Sequence, residues 1–215
     1  MKTAWIAGAS GLVGSELLRM LLADGDYSAV ISMGRRALGF QNAKLTERVV
    51  DFAILDVGGL AAPDVAFCTL GTTIGKAGSQ AAFRAVDHGA VLAFAQAARA
   101  AGAKTFAIVS SLGADAKSRI FYSRVKGETE ADLRALGFPS LAIAQPSLLL
   151  GDRRESRPAE RFMIGASRAL SGLLQPFASR PIEARVVARA LLAVARSPAA
   201  GAVLYPSGQL QTLGV

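Results

Sequence analysis

Residues 3–23 read TAWIAGASGLVGSELLRMLLA, a short apolar run followed by a glycine-rich turn and then by a stretch with helical periodicity. Three glycines, Gly8, Gly11 and Gly14, are spaced G-x-x-G-x-x-G through the turn. Such a turn needs glycine where the chain bends tightly, where the backbone approaches a pyrophosphate and where helix and strand pack closely. Free amides at the start of a helix then bind phosphate groups. We therefore predict a phosphate-binding loop between a strand at Thr3–Ala7 and a helix at Leu12–Ala23.

The alternation of short apolar runs and longer helical patterns continues along the whole chain. Further strands are predicted at Ala29–Met33, Arg48–Asp51, Val65–Leu70, Thr105–Ser110, Leu141–Ala144 and Ala202–Tyr205. Further helices are predicted at Gln80–Ala101, Tyr122–Leu136 and Pro181–Arg196. Strands that alternate with helices form parallel βαβ units, whose right-handed crossovers place helices on both faces of the sheet. The sequence thus predicts an α/β fold, a doubly wound parallel sheet of Rossmann-like type.

We expect one domain over residues 1–215, with residues 151–180 as a small C-terminal cap on the substrate side. Hydrophobic residues make up 52% of the chain and charged residues 19%, so a core can be buried and the chain is not disordered. A single cysteine, Cys68, excludes an internal disulfide. With a single histidine as well, we expect no structural zinc site and no other metal.

The sequence contains no run of about 18 apolar residues, so we expect no membrane-spanning helix. The apolar run that begins the chain breaks at Gly8 and is too short for a signal peptide, so a cytoplasmic protein is expected. The formal net charge is +8, and several arginines lie between Arg153 and Arg168. Nucleic-acid binding is one interpretation of such a surplus. Acidic residues interrupt the cluster, however, so we favour a solvated face or an anion site for a small phosphorylated ligand.

The end of the second predicted strand indicates which dinucleotide the loop would hold. Sites for NAD place an acidic residue about 20 residues beyond the glycines, where it binds the ribose hydroxyls. Here that position reads Gly34-Arg35-Arg36 and contains no acid. Two adjacent guanidiniums suit the ribose 2′-phosphate of NADP, with which they form charge-assisted contacts. We therefore predict NADPH as the cofactor, the alternative being that the two arginines form an ordinary solvated turn.

A second group of residues suggests catalysis. The fifth predicted strand ends in Ser110-Ser111, and Tyr122 and Lys126 follow at a spacing that places them on one helix face. An ammonium close to a phenol favours the phenolate, so Tyr122 is suited to protonate a carbonyl oxygen as hydride arrives. Ser111, or Ser110 if the strand ends earlier, would hold the substrate oxygen. The alternative is an ordinary Tyr–Lys pair and a serine-rich turn.

These motifs together resemble the short-chain dehydrogenase/reductase superfamily in its atypical branch, and more specifically the Tat-interacting-protein-like oxidoreductases, a group with NADPH-binding members. The resemblance extends over nearly the whole chain and includes Asp152–Pro158. It implies that Tyr122 and Lys126 form the catalytic pair. It further implies cofactor contacts from Ser10, Gly11, Leu12, Val13, Arg35, Arg36, Asp51, Leu70, Gly71, Leu149 and Arg157, the last two at the nicotinamide end. One departure is Gln145-Pro146-Ser147, where the family commonly has Arg-Pro-Gly.

The resemblance and the Ser–Tyr–Lys set lead us to expect an NADPH-dependent oxidoreductase that reduces a small carbonyl compound or an activated double bond. We expect a monomer or homodimer. The alternative is a non-catalytic NADPH-binding regulator or redox sensor that acts through a protein partner. The Ser–Tyr–Lys set favours the enzyme, because a sensor has no need of a proton donor. Two further residues are expected to be structural: Cys68 in the core, and His88 at the surface or as a helix cap.

Overall fold

The fold is known from a computed structural model, which describes residues 1–151 and 180–215. The strands are β1 (Lys2–Ala7), β2 (Tyr27–Gly34), β3 (Leu45–Val49), β4 (Val65–Cys68), β5 (Thr105–Val109), β6 (Ser140–Gln145), β7 (Leu149–Leu150), β8 (Ile182–Glu183) and β9 (Gly201–Pro206). The helices are α1 (Leu12–Ala23), α2 (Ile74–Ala77), α3 (Gln80–Arg84), α4 (Val91–Ala100), α5 (Phe121–Ala135), α6 (Ala184–Arg196) and α7 (Ser207–Leu213). A π-helical turn, Ala85–Ala90, joins α3 to α4, and a 3₁₀ turn, Phe52–Ile54, follows β3.

Seven strands form one parallel sheet in the order β3-β2-β1-β4-β5-β6-β9. The chain leaves β1 towards β2 and β3 on one side and then returns to place β4 on the other side of β1. This reversal is the point at which doubly wound sheets bind their ligands, beyond the carboxyl ends of the strands. Ala7 at the end of β1 pairs with Cys68 at the end of β4. The loops after these two strands therefore begin side by side.

Strand β1 shows why the central strands are almost wholly apolar. Successive side chains of a strand point to opposite faces, and helices cover both faces of a parallel sheet. Ile6 packs in the layer that contains α1 and α6, whereas Trp5 packs in the layer that contains α4. The buried Trp5 indole still donates a hydrogen bond to the carbonyl oxygen of Ala61, at 2.9 Å. The core therefore consists of two layers separated by the sheet.

The fold class predicted from the sequence is confirmed, since all seven predicted strands belong to the sheet and α1 has the predicted bounds. The predicted strand Arg48–Asp51 is wrong in its limits, because β3 starts at Leu45 and ends at Val49. This is an edge strand with polar, exposed residues, so its apolar pattern is weak.

Other boundaries also differ. The predicted helix Gln80–Ala101 is divided by the π-helical turn, and α6 begins three residues later than predicted because Ile182–Glu183 pairs with Leu149–Leu150 as a short strand. The predicted cap lies outside the described residues, apart from its terminal residues Gly151 and Arg180, and so does Arg157. Within the described ranges, no helix is long and apolar enough to cross a membrane. The same ranges contain no group of three or more His, Cys, Asp or Glu placed to hold a metal ion.

Candidate functional site

The glycine-rich loop after β1 is packed so tightly that two of its glycines cannot be replaced without movement. Gly8 has φ of 88°, a left-handed conformation that suits glycine. A Cβ atom on Gly14 would lie 2.1 Å from the carbonyl oxygen of Gly8. The N-cap residue of α1 is Gly11, which has no side chain to accept a bond from the first amides of the helix. The loop thus brings the start of α1 against the end of β1 and leaves these amides for a ligand.

This loop forms one wall of a cleft of about 560 Å³ at the carboxyl edge of the sheet. The end of β2, the residues after β3 and β4, and the π-helical turn with the start of α4 form the other walls. Pockets for cofactors and other small molecules generally have volumes of about 300–1,000 Å³, so the cleft is large enough for one. Eight of the predicted cofactor-binding residues line it: Gly8, Ser10, Gly11, Arg35, Arg36, Asp51, Leu70 and Gly71. Leu12, Val13 and Gly14 lie in the first turn of α1 and are not part of the cleft wall.

Arg35 and Arg36 follow β2 directly, and both are exposed at the wall of the cleft. Neither guanidinium forms an ion pair with a carboxylate of residues 1–151 or 180–215. The nearby carboxylate of Glu47 instead accepts a hydrogen bond from the Leu38 amide, at 2.5 Å. Asp51 caps the 3₁₀ turn through a 2.9 Å bond from the Ala53 amide. The wall of the cleft beyond β2 therefore carries two cationic groups that are available to an anion.

Helix α5 carries the predicted catalytic pair. Lys126 is 5% exposed, and its Nζ lies 2.7 Å from Oδ1 of the fully buried Asp87. A Cβ atom on Gly71 would lie 3.8 Å from the same Nζ, so the ammonium group is close to the wall of the cleft. Burial by itself lowers the pKa of Lys126, but its electrostatic interactions with Tyr122 and Asp87, and its hydrogen bond to Asp87, raise that pKa. The net effect is that the pKa of Lys126 is raised above its ordinary value, so the group stays a cation.

Tyr122 lies one helical turn before Lys126, close enough for the two groups to interact electrostatically. Tyr122 is half-buried, and its ring packs against Phe83 with the ring centroids 5.5 Å apart. The loop before α5 is held against this end of the helix, where the amide of Asp115 donates to the carbonyl of Ser123 at 3.0 Å. The structure therefore brings the predicted Tyr–Lys pair to the end of α5 that adjoins the loop after β5.

The two candidate serines have different surroundings. Strand β5 ends at Val109, and Ser110 is 7% exposed. Its hydroxyl donates to a carboxylate oxygen of Glu130 at 2.5 Å, and the side-chain amide of Gln145 donates to the same oxygen at 2.8 Å. Ser111 is half-buried, and its hydroxyl makes a longer bond of 3.3 Å to the carbonyl of Leu112. Ser110 thus belongs to a buried polar network, whereas Ser111 does not.

Leu149, which is also predicted to contact the cofactor, lies in the short strand β7, is half-buried and is not among the residues that line the cleft. A Cβ atom on Gly151, two residues later, would lie 2.7 Å from Cδ1 of Leu12, so this segment passes against the start of α1. Ser147, in the segment that departs from the family pattern, bonds to the carbonyl of Arg180. The basic cluster between residues 153 and 168 lies outside the described residues.

Cys68 is fully buried in β4, as predicted, and burial raises the pKa of its thiol to about 12. Such a thiol is a core group and not a nucleophile. His88 is partly exposed, and its Nε2 lies 2.8 Å from the Asp132 carboxylate. The buried carboxylates Asp87 and Glu130 also belong to the site, and the sequence does not reveal them. In the sequence they look like ordinary acidic residues of helices, and their burial depends on which helix face meets the sheet.

A comparison with protein-family models gives no match. Among curated proteins, "Protein HTATIP2" of Rattus norvegicus is 43% identical to the chain over 164 residues, which cover 74% of this chain and 67% of that protein. "Protein fmp52-1, mitochondrial" of Aspergillus terreus is 36% identical over an alignment of 225 residues, which covers 100% of this chain and 96% of that protein.

Among solved structures, MoeE5 in complex with UDP-glucose and NAD has a TM-score of 0.72 and 18% identity, and covers 94% of this chain and 74% of its own. The Bordetella bronchiseptica enzyme WbmH in complex with NAD⁺ has a TM-score of 0.71 and 20% identity, and covers 97% of this chain and 76% of its own. At these identities the two structures show a shared fold.

Proposed function

Since the chain belongs to the HTATIP2/fmp52 family of atypical short-chain dehydrogenase/reductase proteins and has their NAD(P)-binding fold, we propose that it is an NADPH-dependent oxidoreductase. Its substrate is a small carbonyl compound or an activated double bond. The observation that carries the proposal is the buried ammonium of Lys126, held between Tyr122 and the cleft wall at Gly71. A charged lysine in this position serves proton transfer from a phenol, and structural packing does not require it.

The described residues fit a dinucleotide phosphate. The loop Gly8–Gly11 has no room for side chains at its tightest point and exposes the start of α1 to an anion. Arg35 and Arg36 would bind a ribose 2′-phosphate. This assignment is supported by their position at the wall of the same cleft beyond β2 and by the absence of a carboxylate partner among the described residues. Leu70 and Gly71 would flank the nicotinamide ribose, near the Lys126 ammonium. Leu149 and Arg157 are assigned to the nicotinamide end by family resemblance alone.

NADPH bound in the cleft would supply the hydride for the carbonyl carbon. The protein's own part is to move one proton: the Tyr122 hydroxyl donates it to the carbonyl oxygen, so that the product is an alcohol, and solvent then reprotonates the phenolate. Lys126 stabilises the phenolate through its positive charge and would donate a hydrogen bond to the ribose of a bound NADPH.

Ser111 is the better of the two serines for binding the substrate oxygen. The Ser110 hydroxyl already donates a hydrogen bond to the buried Glu130 carboxylate. If Ser110 bound the substrate instead, this carboxylate would lose one hydrogen bond in the protein interior, which is unfavourable. The Ser111 hydroxyl has a weaker bond to lose. We therefore assign Ser111 to binding of the substrate oxygen. Ser110 has a structural role after β5, where its hydrogen bond to Glu130 links the end of the strand to α5.

The alternative function, a non-catalytic NADPH sensor that acts through a protein partner, needs the cleft but not a proton donor. The Tyr–Lys pair beside the cleft favours the enzyme. The remaining expectations stay predictions: a monomer or homodimer, without a nucleic-acid partner, in the cytoplasm. The fungal relatives are named as mitochondrial proteins, so the location needs its own experiment.

The experiment that tests the proposal is a screen of aldehydes, ketones, quinones and enones for substrate-dependent consumption of NADPH. The expected result is consumption of NADPH with at least one class, and formation of the reduced product in equal amount. Tight NADPH binding without turnover of any class would favour the sensor instead.

A further inference from the structure

Asp87 lies at the centre of an arrangement that none of the cofactor or catalytic assignments above uses. It belongs to the π-helical turn Ala85–Ala90, which interrupts the run from α3 to α4. A π turn contains more residues than an α turn and so changes the direction of the side chains that follow it; such turns are frequent at functional sites. Other residues of this turn line the cleft, whereas the Asp87 side chain is completely buried.

Both oxygens of the Asp87 carboxylate are engaged. One lies 2.7 Å from Nζ of Lys126, and the other accepts a hydrogen bond of 2.8 Å from the amide of Thr72. Thr72 directly follows Gly71 in the loop after β4. The carboxylate therefore connects three elements at one point: the π-helical turn, helix α5 and the loop that forms the cleft wall.

The groups that face the Lys126 ammonium come from three elements: Tyr122 from α5, Asp87 from the π-helical turn and Cys68 from β4. Burial raises the pKa of the Cys68 thiol to about 12, so it is neutral near pH 7. Asp87 is the carboxylate among these three groups and lies 2.7 Å from the ammonium, so it supplies the negative charge without which a buried cation is costly.

We propose that Asp87 is the positioning residue for Lys126: its carboxylate holds the ammonium between Tyr122 and Gly71 and keeps it protonated, while its bond to Thr72 fixes the cleft wall at the same point. The role of Lys126 in proton transfer rests on the proposed function. The position and charge of Lys126 are independent of the proposed function, because they can be measured on the protein without any substrate.

The test uses Asp87→Asn, which keeps the size of the side chain and an oxygen for the Thr72 amide but removes the charge. The chain has six lysines, at positions 2, 44, 76, 104, 117 and 126. With ¹³C-labelled lysine, the ε-carbon resonance of Lys126 is identified by its loss in Lys126→Arg and then titrated with pH. The matched control is Glu128→Gln, which removes another carboxylate of α5, one that pairs with Arg84 of α3.

We expect the Lys126 resonance to titrate at clearly lower pH in Asp87→Asn than in the wild-type protein, and at the same pH in Glu128→Gln as in the wild type. An unchanged titration in Asp87→Asn, or an equal fall in both variants, overturns the proposal. If no compound in the NADPH screen is reduced, the proposed enzymatic function is refuted, but the proposed role of Asp87 towards Lys126 is not affected.

If Asp87→Asn does not fold, the double variant Asp87→Asn with Lys126→Met decides the matter. The proposal attributes the instability to an unbalanced buried ammonium, so removal of that ammonium should restore folding, as measured by circular dichroism and urea unfolding. A double variant that stays unfolded shows that Asp87 is a purely structural residue and overturns the proposal.

Discussion

Replacement of both guanidiniums at the end of β2, in Arg35→Ala with Arg36→Ala, tests which dinucleotide the cleft prefers. A hydrogen bond to a charged group contributes about 1.5–3 kcal/mol when it is sheltered. Both arginines are exposed, so solvent screening reduces this to roughly 1 kcal/mol for each side chain. The two together then contribute about 2 kcal/mol, which corresponds to a roughly 30-fold increase in the Kd for NADPH.

NADH has no 2′-phosphate, so its Kd should change by less than about threefold, well under 1 kcal/mol. Isothermal titration calorimetry with each dinucleotide at constant ionic strength measures both values. The control is Arg19→Ala with Arg48→Ala, which removes two exposed guanidiniums outside the cleft wall and lowers the net charge equally. Equal losses for NADPH and NADH, or an equal loss in the control, would refute the assignment of these arginines to the 2′-phosphate.

Three further predictions concern packing, thiol reactivity and pH. Gly14→Ala places a Cβ atom 2.1 Å from the Gly8 carbonyl oxygen. We therefore expect the free energy of unfolding in urea to fall by about 1–3 kcal/mol and NADPH binding to weaken. The control Gly25→Ala, whose Cβ atom would have no neighbour within 4 Å, should change neither. Cys68, whose pKa is raised to about 12, should react with iodoacetamide only when the protein is unfolded, and rapid labelling of the native protein would contradict its burial. Because folding raises the pKa of Lys126, the charged ammonium contributes fully to the stability of the folded protein below pH 10.5, its ordinary pKa, and this contribution is lost as the pH rises through the raised pKa. The free energy of unfolding of Lys126→Met, measured with urea, should therefore fall less at high pH than that of the wild-type protein. An identical fall in the two proteins would contradict this.

The sheet and the first helix follow from the sequence because their patterns have a direct physical cause. Strands of a parallel sheet are buried on both faces, so they appear as short apolar runs. The bounds of α1 are defined by the glycine at its start and by Asp24 at its end. The membership of the atypical short-chain dehydrogenase/reductase group, inferred from the motifs, is confirmed by relatives that cover most of the chain.

The support of the catalytic pair could not be predicted from the sequence. Asp87 lies 39 residues before Lys126, and helical periodicity alone does not show that a π turn directs it inwards. The choice between Ser110 and Ser111 depends on where β5 ends, since a shift of one residue places a side chain on the other face. The two serines are distinguished by the burial of Ser110 and by its bond to Glu130, which the structure shows.

The central claim is that Tyr122 donates a proton in an NADPH-dependent reduction, and Tyr122→Phe tests it most directly. The substitution removes one hydroxyl and keeps the ring that packs against Phe83. The control is Tyr27→Phe, which removes a buried hydroxyl at the opposite end of the sheet from the cleft. The measurement is the kcat for a substrate identified in the NADPH screen, together with the Kd for NADPH. The account predicts that Tyr122→Phe lowers kcat by roughly 10²–10⁴-fold with little change in Kd, and that Tyr27→Phe retains kcat. A substrate whose turnover is the same in Tyr122→Phe as in the wild-type protein would contradict it.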